Sequence, residues 1–124
     1  MNQAVEDMFV DVIIEDGFLS DPAALLRSMR EPSGATPAET ARIVAQALAK
    51  LDDSDALVVV QSVLDAATCS LVSLLDQDFK NSGLHACFSY DGQSADTRHQ
   101  PNFWSAYRSR VEPNGLLSQS RPLQ

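Results

Sequence analysis

Residues 56–79 read ALVVVQSVLDAATCSLVSLLDQDF, and they include the longest apolar stretch of this 124-residue chain. Apolar residues recur at helical spacing, and further valines widen the stripe until it nearly encircles the helix. The pattern predicts one long helix over residues 55–79, which we expect to be central and the most buried. Gln61, Asp65 and Thr68 interrupt the stretch, so it falls short of the near-continuous twenty apolar residues of a membrane span.

Two helices are predicted at the N-terminal end of the chain. The first has an apolar face at helical spacing and ends before Gly17, although its β-branched residues leave a strand over 9–14 as the competing interpretation. The second begins with Asp21 as N-cap and Pro22 in the first turn, and it ends near Arg30. The predicted apolar face of the first helix is Val5, Met8, Phe9, Val12 and Ile13.

A third helix is predicted to start at the capping box Thr36-Pro37-Ala38-Glu39 and to pair with the central one. Its apolar face would be Ile43, Val44, Ala47, Leu48 and Leu51.

Beyond the central helix, Gly83 is the expected left-handed terminator. Residues 84–90 fit either a helical turn or a short strand that ends in the turn Asp91-Gly92. A last helix follows Pro101, because Phe103, Tyr107 and Val111 keep helical spacing.

The predicted fold class is therefore all-α, or α+β if a short strand pair forms near residues 84–90. We expect a compact bundle of about five helices around the central one. Residues 1–113 would form a single globular helical domain, and residues 114–124 a flexible C-terminal tail. The length suits one domain with a substantial core.

The composition is strongly acidic, with 17 acidic and 9 basic residues and a net charge of −8. Such a charge repels nucleic acid and anionic membrane surfaces and attracts basic proteins. The N-terminal residues resemble no export signal, so we expect a cytoplasmic protein with reduced cysteines. The expected partner is a basic protein, with no nucleic acid and no membrane, and the expected state is a monomer or weak dimer.

An acidic stripe is predicted on the first helix, where Asp7, Asp11 and Glu15 lie four residues apart. Like charges at this spacing destabilise an isolated helix slightly, so the stripe needs a compensating influence. A basic partner would supply one, whereas a solvated face would be the simpler explanation. No Lys or Arg occurs among residues 1–26.

Two further groups of residues are candidates for partner binding. Asp52, Asp53 and Asp55 would steer a basic partner, and helix capping explains them more simply than a catalytic acid–base pair does. The other group combines Trp104, Tyr107 and Arg108, the residue types that dominate interface hot spots. Its alternative is an aromatic helix packed on the bundle, with its arginines paired to the acidic first helix.

The sequence contains few residue patterns that indicate a metal-binding or catalytic site. His85, Cys87, His99 and Cys69 could ligate a metal, but they lack the paired spacing of zinc sites. A calcium loop starting at Asp76 is excluded because Asn81 and Cys87 occupy its Gly and Glu positions. We expect no cofactor, no metal and no catalytic residue.

These observations favour a protein-binding function. The first hypothesis is an immunity or inhibitor protein that covers the active surface of a basic, cytoplasmic-acting toxin, for example a nuclease, with an acidic face. The second is a small acidic chaperone or adaptor, or a helical subunit of a larger assembly. The third is a small enzyme that uses Cys87 with His85 or His99 as base.

Overall fold

Five helices and one β-hairpin form the computed structural model, which describes residues 3–17, 19–31 and 38–112. This confirms the predicted mostly helical fold. The helices are α1 (Gln3–Glu15), α2 (Pro22–Arg30), α3 (Ala38–Ala49), α4 (Asp53–Ser82) and α5 (Phe103–Val111), and the strands are β1 (Cys87–Tyr90) and β2 (Gln93–Asp96).

Helix α4 is continuous but contains one irregular turn. It is α-helical over Asp53–Ser73, π-helical over Leu74–Asp78 and α-helical again over Phe79–Ser82. Gly83 ends it in the left-handed conformation at φ 79°, as the sequence predicts. A π-helical turn adds one residue to the normal helical turn, so it re-aims the side chains that it contains.

The helices pack in two groups on α4. Helix α2 lies between α3 and α4, while α5 lies between α1 and α4. The hairpin packs against α1. The shared core is formed by apolar side chains of all five helices, and its largest fully buried members are Tyr107, Phe103, Leu26, Val10 and Val72.

The hairpin resolves the choice that the sequence left open for residues 84–90 in favour of a strand. Asp91 and Gly92 form its turn with positive φ angles of 50° and 73°, which match the right-handed twist of the flanking strands. Phe88 of β1 contacts Phe9 of α1 and Phe103 of α5, with ring centroids 5.5 and 5.4 Å away. The hairpin therefore contributes an aromatic ring to the core.

Two carboxylates from separate helices hold the first turn of α5. Glu6 of α1 accepts a hydrogen bond from the amide of Asn102. Asp76, in the π-helical turn of α4, accepts bonds from the amides of Phe103 and Trp104, both at 2.8 Å. The pKa of Glu6 is raised, chiefly because its carboxylate is buried. These bonds satisfy amides that have no acceptor within the helix.

Several local predictions are confirmed in the described residues. The first segment is a helix rather than a strand, and Asp21 caps α2 by accepting a bond from the amide of Ala24 at 3.0 Å. Phe103, Tyr107 and Val111 are all buried. The proposed capping box at Thr36-Pro37 and the proposed tail at 114–124 lie outside the described residues.

The predicted apolar faces of α1 and α3 are partly wrong. Helix α1 buries Glu6 and Val10 and leaves Val12 exposed, because it is turned so that Glu6 reaches the start of α5. Helix α3 buries Ala41 and Leu48 and exposes Ile43, because α3 packs on α2.

We expect Asp76→Ala to lower the free energy of unfolding by about 1 to 3 kcal/mol, because it leaves two amides at the start of α5 without their acceptors. Urea denaturation measures the change. Asp78→Ala, at an exposed position of the same turn, is the matched control and should change stability by no more than about 0.5 kcal/mol. Equal losses in the two variants would show that Asp76 does not anchor α5.

Candidate interaction surface

The acidic stripe of α1 is neutralised in part by the protein itself. Arg110 of α5 lies beside it, with Nε 3.1 Å from Asp11 Oδ1 and Nη2 2.8 Å from Glu15 Oε1. These pairs are exposed enough that each contributes about 0 to 1 kcal/mol. Asp7, Asp11 and Arg110 also line a shallow, open groove between α1 and α5. This contact matches the alternative predicted from the sequence, in which arginines of the last helix pair with the acidic first helix.

The second acidic group is divided between structural and outward-facing residues. Asp52 caps α4 by accepting a bond from the amide of Asp55 at 2.8 Å. Asp53 pairs with Arg30 of α2 at 2.5 Å, and that arginine also donates to the carbonyl of Leu51 at 3.2 Å. These contacts tie the end of α2 to the start of α4. Asp55 is exposed.

The predicted binding group of Trp104, Tyr107 and Arg108 is likewise divided, in this case between buried and exposed residues. Tyr107 is fully buried, so its prediction as a surface anchor is corrected: its ring belongs to the core, and its hydroxyl donates to Asp65 Oδ1 at 2.5 Å. Burial, followed by this bond, raises the pKa of Tyr107. Trp104 is 44% exposed, and the Arg108 guanidinium lies 6.0 Å from its ring centroid. Arg108 also pairs with Asp65 at 3.5 Å.

Helix α4 has an unexpected exposed face. Only 28% of its most apolar 18-residue window is buried, whereas α5 buries four of its nine residues, so the expectation that α4 would be the most buried helix is wrong. Neighbours cover one side of it, and the opposite side forms a row that we call the outer stripe. The outer stripe consists of Asp55, Val59, Val63, Ala66, Ala67, Ser70 and Leu74, all of them exposed.

Two valines of the outer stripe leave a large fraction of their surface exposed. Val63 is 63% exposed and Val59 is 44% exposed. In the described part of the chain, α4 is also a helix long and apolar enough to cross a membrane, judged by length and composition alone. The sequence did contain a signal for the outer stripe. Apolar residues nearly encircle the helix, and they are more numerous than one buried face requires.

The hairpin brings together three side chains that could ligate a metal. His85, Cys87 and Asp96 have ligand atoms within 4.8 Å of one another, whereas Cys69 and His99 are not members of this cluster. Cys87 Sγ donates to Asp96 Oδ2 at 3.4 Å, and this bond raises the pKa of the Cys87 thiol. Sequence reasoning identified the histidine and the cysteine but missed the aspartate, since only the strand register places it opposite.

The chain matches no protein-family model, no curated protein and no solved structure in the comparisons made.

We expect Tyr107→Phe to lower the free energy of unfolding by about 1 kcal/mol, because the hydroxyl bond to Asp65 is lost from a largely buried position. Chemical denaturation measures the difference. The only other tyrosine, Tyr90, is exposed on the hairpin, so Tyr90→Phe is the matched control and should be nearly neutral. A neutral Tyr107→Phe would contradict the assignment of Tyr107 to the core network.

Proposed function

We propose that this protein functions by binding a basic protein through the outer stripe of α4. The observation that supports this proposal is a row of exposed apolar side chains, Val59, Val63 and Leu74, that continues into the exposed carboxylate of Asp55. Contiguous apolar surface that neighbours leave uncovered is typical of binding sites in soluble proteins. An apolar helix face with charges at one end fits a partner that presents an apolar seam beside Lys or Arg.

Charge favours a basic protein over the other possible occupants of the outer stripe. The net charge of −8 makes two copies of this chain repel each other, and it opposes approach to an anionic membrane. Asp52 and Asp53 are exposed near Asp55, so the start of α4 concentrates negative charge beside the apolar row. Asp53 shares its charge with Arg30 in a surface pair, and Asp52 caps the helix through the amide of Asp55.

The specific role that we propose is an immunity or inhibitor protein for a basic toxin that acts in the cytoplasm, for example a nuclease. Such a toxin binds a polyanion, and carboxylates on an inhibitor compete for the same basic surface. Asp7, Asp11 and Glu15 would then add long-range attraction, although the last two already share Arg110. Trp104 and Arg108 are exposed enough to contribute contacts at a second edge.

The second candidate is a small acidic chaperone or adaptor, or a helical subunit of an assembly. The same outer stripe supports it, because a client-binding protein must present apolar surface before its client arrives. An enzyme that uses Cys87 has less support. A nucleophilic cysteine needs a lowered pKa, whereas the bond to Asp96 raises the pKa of this thiol.

The partner is sought by affinity capture from the source organism's lysate with tagged protein, first at low and then at high salt. We expect retention of one basic protein that is lost at high salt, since exposed charges are screened. Val63→Asp should weaken the purified complex by at least about tenfold, because it puts a charge in the centre of the apolar row. Val12→Asp, at a similarly exposed position of α1, is the control and should retain the partner.

The outcome also separates the candidate roles. A captured protein that is toxic when expressed alone and harmless when co-expressed would establish the inhibitor role. Many unrelated clients, all lost from Val63→Asp, would establish the chaperone role instead. Binding that Val63→Asp leaves intact, dimerisation of the purified protein through α4, or stable binding to neutral lipid vesicles would overturn the assignment of the outer stripe to a basic protein.

A further inference from the structure

We propose that His85, Cys87 and Asp96 form a binding site for one divalent transition-metal ion, with Zn²⁺ as the best fit. The three side chains lie at the edge of the hairpin, with their ligand atoms all within 4.8 Å of one another. None of them belongs to the outer stripe of α4. The site is therefore independent of the proposed partner-binding function.

The strand register explains why the three residues converge. Cys87 and Asp96 are direct partners across the two strands. Thr97 donates its amide proton to the Ala86 carbonyl at 3.0 Å, and hydrogen-bonded pairs alternate with non-bonded pairs along an antiparallel ladder. The Cys87–Asp96 pair is thus a non-hydrogen-bonded one, in which opposing side chains come closest. His85 lies two residues before Cys87, the spacing that returns to the same face of an extended chain.

The donor atoms suit zinc in kind and in separation. Zinc in proteins is bound by cysteine sulfur, histidine nitrogen and carboxylate oxygen in tetrahedral geometry. Ordinary Zn–S and Zn–O bond lengths in a tetrahedron place the sulfur and oxygen about 3.5 Å apart. The Cys87 Sγ and Asp96 Oδ2 atoms lie 3.4 Å apart. His85 is exposed, so its ring can adjust to the third position without disturbing the core.

Arg98 provides the outer contact that holds the carboxylate of Asp96. Its amide donates to Asp96 Oδ1 at 2.8 Å, and its guanidinium donates to Asp96 Oδ2 at 2.6 Å. The Arg98 amide on Oδ1 orients the carboxylate before a metal arrives, whereas the guanidinium on Oδ2 gives up that contact when the metal binds. Three protein ligands leave a fourth position for water or a partner's side chain.

Metal binding requires loss of the Cys87 proton, which the thiol shares with Asp96 in the metal-free protein. A divalent cation replaces that proton as the bridge between sulfur and carboxylate, and one proton is released to solvent.

The test is titration of the full-length, chelator-treated protein with Zn²⁺ by calorimetry and with Co²⁺ by absorption spectroscopy. We expect one equivalent of each ion to bind, and Co²⁺ to develop a near-ultraviolet thiolate charge-transfer band. Cys87→Ser should abolish that band, and His85→Gln should weaken Zn²⁺ binding by at least about tenfold. The chain has one other residue of each type, so Cys69→Ser and His99→Gln are matched controls that should bind as the parent does.

Circular dichroism of each variant measures whether its helices remain folded. It therefore distinguishes loss of a metal-ligating side chain from unfolding, because the three ligating residues lie at a hairpin in a mostly helical protein. Selective loss in Cys87→Ser and His85→Gln, with unchanged helicity, would establish the site. Absence of stoichiometric binding in the parent protein, or equal weakening in the Cys69 and His99 controls, would overturn it.

Discussion

Attachment of the first turn of α5 to two carboxylates is the constraint on which the arrangement of this protein depends. The first amides of a helix have no acceptors of their own, and here Glu6 of α1 and Asp76 of α4 supply them. The bond from Asn102 offsets only part of the cost of burying Glu6, because burial still raises the pKa of this carboxyl. Once α5 is held against both helices, Phe103 and Tyr107 enter the core.

This attachment also determines which surfaces remain open. Helix α5 extends along α1 and carries Arg110 to Asp11 and Glu15, so the acidic stripe is compensated within the molecule. Helices α2 and α5 cover one side of α4, and the outer stripe around Val63 receives no neighbour among the described residues. A molecule with net charge −8 thus combines a partly compensated acidic helix with an uncovered apolar row. The proposed protein binding rests on the second feature.

Local signals in the sequence predicted local structure well. The cap at Asp21, the terminator Gly83 and the buried spacing of Phe103, Tyr107 and Val111 all depend on neighbours along the chain. Apart from the pairing of last-helix arginines with the first helix, features that depend on distant partners were not predictable in this way. Burial of Glu6 requires the start of α5, which lies 96 residues further along the chain.

The error over α4 has a related physical cause. Apolar residues around a whole helix show that the helix tolerates burial, but they do not say how many neighbours the fold provides. Here two neighbours leave the row from Val59 to Leu74 exposed. The cluster at Cys87 and Asp96 shows the same limit, because a cross-strand contact becomes visible only when the strand register is known.

Hydrogen exchange of backbone amides, measured by NMR, shows whether the first turn of α5 is held in place. We expect the amides of Asn102, Phe103 and Trp104 to exchange slowly, like those inside α4, because the carboxylates of Glu6 and Asp76 accept their hydrogen bonds. Exchange at these three amides as fast as in an exposed, unprotected turn would contradict the attachment of α5 to Glu6 and Asp76. It would mean that α5 is not fixed at its start, and the surfaces described above would no longer follow.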